Sequence, residues 1–193
     1  RGGYNTHSDY EIPDGDRVTN TRYNETDFKA GIGWNLDNFV TEFRYNLNKS
    51  EIGIPEEIGT QTTSKSPELP YQDIQSHILS LHNHLYLNQS RLDLNLGYVM
   101  NDRKEYEDHH HEDEHEEEEH EEDEHEEDES HPALRMKLKT FTYDLKYHFP
   151  KTKRFETIAG LQGMVQTNEN FGEEILIPDA RTNDLGLLLN TSL

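Results

Sequence analysis

The sequence has no cysteine and a single tryptophan, and its 18 Lys and Arg face 40 Asp and Glu. Without cysteine, disulfide staples and thiolate metal sites are excluded, so any metal ligands must come from His, Asp and Glu. A net charge of −22 with no visible basic patch argues against a nucleic-acid partner, because phosphate binding needs clustered Lys and Arg. Mean hydropathy is −1.06. No apolar run approaches the roughly 18 residues of a membrane helix. The opening residues RGGYNTHSDY carry neither an initiator Met nor a leader pattern, so the 193 residues are expected to be a fragment of a longer protein. Catalytic constellations are missing too. There is no glycine-centred nucleophile elbow, and glycines 31, 33, 53 and 59 do not open a helix as a phosphate loop would. Paired acids are too common here to mark a glycosidase. The expectation is that this is not an enzyme.

What is present in excess lies at residues 107–129, EDHHHEDEHEEEEHEEDEHEEDE, which hold 17 carboxylates and six histidines with no cation and no apolar side chain. Such a segment can bury nothing and cannot belong to a core. Removing its acids leaves the rest of the chain near −5, so one very acidic insert sits in a mildly acidic protein. An acidic run is commonly a solvated spacer. Interleaved imidazoles favour metal capture instead, since neutral imidazole and carboxylate are ligands for zinc, nickel and copper. The candidate ligands are His109, His110, His111, His115, His120, His125 and, just beyond the run, His131, with Glu112, Asp113 and Glu114. The six histidines are spaced 1, 1, 4, 5 and 5 apart, so only His111 and His115 have helical i, i+4 spacing. No preformed tetrahedral site is encoded. The expectation is a multi-site chelator using two or three imidazoles and a carboxylate per ion. No EF-hand spacing points to calcium. The histidines favour Zn2+, and Cu2+ or Ni2+ would satisfy the same ligands.

Elsewhere the chain alternates apolar and polar residues with a period of two, the signature of half-buried strands. Phe28, Ala30, Ile32 and Trp34 form one stripe; Phe39, Thr41, Phe43, Tyr45 and Leu47 the next; then Leu79, Leu81, Leu85 and Leu87. Leu92 to Met100, Phe141 to Phe149, Phe155 to Val165 and Leu185 to Leu193 continue it, about seven strands in all. The phase changes between Leu138 and Phe141, which predicts a bulge near Thr140. Short turns are expected at 35–38, 88–90 and 150–153, and long polar connections at about 5–21, 49–74, 105–133 and 168–183. A soluble sandwich would have shorter strands and evenly spaced turns. Short turns at one end and long loops at the other predict an all-β, antiparallel up-and-down meander that is part of a transmembrane β-barrel. Trp34, Phe39, Tyr86, Tyr147, Phe149 and Phe155 beside the short turns would form an interfacial girdle. The acidic-histidine loop would then be extracellular, and one barrel domain would span 1–193 with residues 105–133 inserted.

Three stretches carry a resemblance: DGDRVTNTRYNETDFKAGIGW (14–34), FRYNLNKSEIGIPEEIG (43–59) and EILIPDARTNDLGLLL (174–189). They resemble barrel strands of TonB-dependent outer-membrane receptors, in detail the Bacteroidetes-type members. NTRYN (20–24) and IPDARTNDLG (177–186) are the most telling passages. The resemblance covers nearly the whole chain except the acidic run. It implies a barrel of about 22 strands, outer-membrane lipid around it, an N-terminal plug and energy from an inner-membrane TonB complex. No plug-like sequence precedes Arg1, and a terminal aromatic is missing, so this chain would supply a middle part of the barrel. His- and acid-rich extracellular loops are similar to those of zinc-importing members, by composition only.

A second candidate lies on a strand. His82 and His84 alternate with leucines and are expected to face the lumen beside Ser80 and Tyr86, where they would relay metal or simply pair with polar neighbours. His77 and His148 are expected near the interfaces, and nothing singles out His7. Three functions therefore compete: a zinc-importing receptor, a receptor for a siderophore or other metal chelate, and a surface β protein that buffers metal without transport.

Overall fold

The computed structural model describes residues 1–55, 59–107 and 131–193. The described chain is all-β. Eight strands, β1 (Gly2–His7), β2 (Tyr23–Asn35), β3 (Phe39–Gly53), β4 (Tyr71–Leu87), β5 (Ser90–Tyr106), β6 (Leu134–His148), β7 (Glu156–Asn170) and β8 (Ala180–Ser192), form one sheet. The order is β1 to β8 in sequence, so each strand pairs with its chain neighbours, always antiparallel, and the sheet does not close on itself. This exceeds the seven strands expected. Residues 2–7 pair with 23–28. Their polar, glycine-rich composition carries no alternating apolar stripe; the backbone ladder holds the strand, helped by Thr6 Oγ1 donating to Asn24 Oδ1 at 2.8 Å and by His7 stacked on Tyr23.

Short turns lie at 36–38, 88–89 and 149–155, and long connections at 8–22, 54–70, 107–133 and 171–179. The middle turn is one residue shorter than expected. Leu87 pairs with Ser90, and Asn88 takes up a φ of 53°, a left-handed conformation that Asn tolerates. The expected bulge near Thr140 is absent. The β5–β6 ladder runs unbroken from Arg91↔His148 to Glu105↔Leu134, with Thr140 opposite Val99. The phase change is a change of polarity within a regular strand: Phe141, Tyr143, Leu145 and Tyr147 share a face with Lys139, Lys137 and Arg135 higher up.

Register sorts the side chains onto two faces. On one, successive rows run Phe39, Leu85, Leu92, Tyr147; Trp34, Thr41, Asn83, Leu94, Leu145, Leu161, Leu187; then Ile32, Phe43, Leu81, Leu96, Tyr143, Leu185. Above them come Ala30, Tyr45, Leu79, Tyr98, Phe141, Val165, and Phe28, Leu47, His77, Met100. Phe39 to Leu47 spans about 27 Å of strand. Two polar residues of the second row satisfy each other, Thr41 Oγ1 donating to Asn83 Oδ1 at 2.7 Å. Trp34, Phe39, Tyr147 and Phe149 sit near the short turns on this face, Tyr147 and Phe149 edge to face at 4.8 Å. Tyr86 does not join them, because its register with Arg91 puts it on the opposite face.

This single layer has almost no core. Among the described residues the only buried apolar side chains are Ala133 and Leu134, whereas Trp34 is 54 % exposed and Leu187 84 %. The long connections are better packed. Arg22 is wholly buried against Asp9, with Nε 3.3 Å from Oδ1, and Asn20 Nδ2 donates to the carbonyls of Ile54, Glu68 and Pro70. Residues 8–22 are thereby knotted to 54–55 and 59–70 in one block at the long-connection end. No described helix is long and apolar enough to cross a membrane, which says nothing of strands.

Candidate functional site

The polar face carries the chemistry. A concavity of about 650 Å³ opens on it, floored by β4 to β8 and lined by Ser80, His82, Asn95, Asp144, Gln162 and Asp184 among others. Small residues make the room: Gly97 and Gly186 both line it, and a Cβ at Gly97 would meet Thr142 Oγ1 at 2.6 Å. His82 and His84 lie on this face with Ser80 and Tyr86, as their alternation with leucine predicts.

The two histidines belong to separate networks. His82 Nδ1 donates to Asn95 Oδ1 at 2.8 Å, Asn95 Nδ2 donates to Asp144 Oδ1 at 3.3 Å, and Lys146 Nζ reaches the same oxygen at 3.0 Å. One rung nearer the short turns, His84 Nδ1 donates to Asp93 Oδ1 at 2.7 Å and His148 Nε2 to Asp93 Oδ2 at 2.8 Å. Arg91 Nε lies 2.9 Å from Asp93 Oδ1, and its Nη2 is 3.1 Å from His148 Nε2. That nitrogen fills one role at a time. Protonated, it donates to Asp93; bare, it accepts from Arg91. Asp93 is only 7 % exposed, and one carboxylate thus ties the ends of β4, β5 and β6 together.

Sequence reasoning missed Asp93, Arg91, Asp144 and the role of His148, which was expected at an interface. The signal was present in the hairpin. With a two-residue turn at 88–89, Leu87 meets Ser90, so His84 must meet Asp93 and His82 must meet Asn95. A three-residue turn hides both pairings. His77 does sit at the upper edge of the apolar face, where Tyr45 OH and its Nδ1 are 2.7 Å apart.

Of the expected metal ligands, His109, His110, His111, His115, His120, His125, Glu112, Asp113 and Glu114 lie outside the described residues. His131 is described and exposed, three residues before Leu134 opens β6. The base from which the run departs is firm. Tyr106, ending β5, stacks on Tyr71 at 4.8 Å, and Glu105 pairs with Leu134. The run therefore leaves the sheet at the long-connection end, beside the 8–22 and 54–70 block. Among the described residues no group of three or more His, Asp or Glu is arranged to hold a metal ion. The Asp93 cluster explains why: its imidazoles aim at the carboxylate itself, and a guanidinium occupies the remaining side.

Also at that end, one row beyond the apolar band, Asp102 takes Arg135 Nη2 at 3.0 Å and Lys137 Nζ at 3.2 Å. Burial works against the Asp102 charge, but hydrogen bonds from Arg135 and Lys137 outweigh it and hold the carboxyl below the usual carboxylate range. The same hydrogen bond, against some desolvation, raises Arg135.

Compared with known proteins, the sequence matches no family model, no curated protein and no solved structure.

Proposed function

We propose that this chain is part of the transmembrane barrel of a TonB-dependent outer-membrane receptor, and that its acidic-histidine run captures zinc, or a similar divalent metal, outside the cell for import. The observation that carries the membrane part is the exposed apolar face. Large apolar side chains fill row after row on one side of a sheet that has no second layer in the described chain, and such a face needs an apolar phase against it. At a tilt near 40°, about 27 Å of strand rises about 21 Å, close to the roughly 25 Å apolar band of such barrels. Strands of 15 to 17 residues exceed the 9–11 needed to cross and would project beyond the lipid.

The metal part rests on composition and place. The run carries imidazole and carboxylate in excess and leaves the sheet where the long connections gather. The polar face beneath offers His82, Asp144 and Asp184 around its concavity, a path of polar groups suited to a hydrated cation. Capture by imidazole must displace protons near pH 6.5, so affinity should fall steeply on acidification.

The test is energised zinc uptake by cells carrying the full-length receptor, with and without residues 107–129, at limiting zinc. A loss confined to low zinc supports capture for import. Unchanged uptake, or none at all, refutes it and leaves the run as a spacer or scavenger. Uptake of chelated but not free metal would instead favour a siderophore-type cargo.

A further inference from the structure

A cation-rich patch lies on the apolar face, at its upper end. On β6, Lys139, Lys137 and Arg135 are consecutive residues of that face, and Lys104 of β5 pairs with Arg135. Lys139 stands in the row of Met100, at the upper limit of the apolar band. Lys137 and Arg135 stand one and two rows above, each row about 7 Å further on. Of the acids on this face, Glu169 takes Lys139 at 3.1 Å, and Asp73, in register with Lys104, lies 4.0 Å from Lys49. Arg135 and Lys137 then share one carboxylate, Asp102, and Lys104 stands beside Arg135 in register.

Asp102 gathers the cations rather than cancelling them. It holds Arg135 and Lys137 side by side, while the ring of Phe171 lies 5.4 Å from the Arg135 guanidinium and 5.6 Å from Lys137 Nζ. Both cationic side chains remain partly open to solvent, 33 % and 23 % exposed. Directly below are Met100, Tyr98 and Phe141. An occupant of this surface must therefore have an apolar body and, at its upper end, a multivalent anion.

We infer that this patch binds the phosphate of a lipid headgroup in the membrane leaflet on the long-connection side. A phosphate with three free oxygens can bridge Lys104, Arg135 and Lys137 while its acyl chains cover the apolar rows beneath. The inference rests on the barrel reading above.

The test uses the full-length receptor in nanodiscs of phosphatidylcholine doped with a bis-phosphorylated glycolipid or its dephosphorylated form, with retained lipid measured by native mass spectrometry. The wild type is expected to prefer the phosphorylated lipid by about tenfold or more, since each basic residue near a membrane surface is worth roughly a fivefold gain. K104Q/R135Q/K137Q should lose the preference, and K104R/K137R should keep it, which separates lost charge from lost folding. Equal retention of the two lipids by the wild type, or an undiminished preference in the triple Gln variant, overturns the headgroup site. So does a preference that emerges only on deleting 107–129, because the acidic run would then be the occupant. A receptor that never enters the disc overturns the barrel reading instead.

Discussion

Leu81 lies in the middle row of the apolar face, between Phe43 of β3 and Leu96 of β5. If lipid covers this face, Leu81→Arg places a guanidinium at the bilayer midplane. The cost there is about 2–4 kcal/mol, falling to about 0–1 near the interfaces. Gln75→Arg sits on the same face and strand three rows higher, level with Asp102, and should cost within that smaller range. Ser80→Arg, adjacent in sequence but on the polar face, should cost little more, because it points into the 650 Å³ concavity. The assay is reversible guanidinium unfolding of the full-length receptor in phospholipid vesicles, followed by tryptophan fluorescence. A loss of about 3 kcal/mol for Leu81→Arg shifts the folded-to-unfolded ratio more than a hundredfold, well outside extrapolation error. Equal costs at 75 and 81 would refute the lipid reading, and a cost at 81 below about 0.5 kcal/mol would show water against this face.

Asp93→Asn removes the charge that gathers His84, His148 and Arg91 and should destabilise the sheet by about 2 kcal/mol, read as a lower unfolding midpoint with unchanged slope. Arg22→Met leaves the buried Asp9 carboxylate without its partner and should cost about 3–5 kcal/mol, with early proteolysis within 8–22 and 54–70. The double variant Arg22→Met with Asp9→Leu should recover most of that loss, and failure to recover would refute the pairing as its cause. For Asp102 the sign is set by a depressed folded-state pKa: its stabilisation is complete above about pH 4, the ordinary carboxylate value, and is lost as pH falls through the folded value. Asp102→Asn should therefore be less stable than the wild type at neutral pH, and the gap should close in acid.

The all-β meander was legible because alternation with period two survives wherever one face must stay apolar. Leu92 to Met100 and Phe39 to Leu47 state it without ambiguity. β1 was not legible, since a strand with Gly2, Gly3 and Asn5 shows no apolar alternation and is held by backbone pairing and a few polar contacts to β2. The phase change at Thr140 misled because an exchange of polarity along a regular strand and a bulge leave the same trace in a sequence. In β6 the apolar face becomes cationic where the band ends, and no residue is inserted. His82 and His84 were placed on the correct face by parity. Their partners were not, because cross-strand pairing depends on turn length to a single residue, and Ser90 belongs to the ladder.

The β5–β6 ladder has a consequence for how the acidic-histidine run can change over time. Every pairing in the sheet joins neighbours in sequence, and this hairpin is fully registered from Arg91↔His148 up to Glu105↔Leu134 before the run begins. Residues added or lost between Glu107 and His131 shift no pair below. Doubling such a connection adds only about 0.6 kcal/mol of closure entropy. Ligand number on this hairpin is thus a nearly free variable: descendants can lengthen, shorten or re-compose the run while the sheet beneath stays the same.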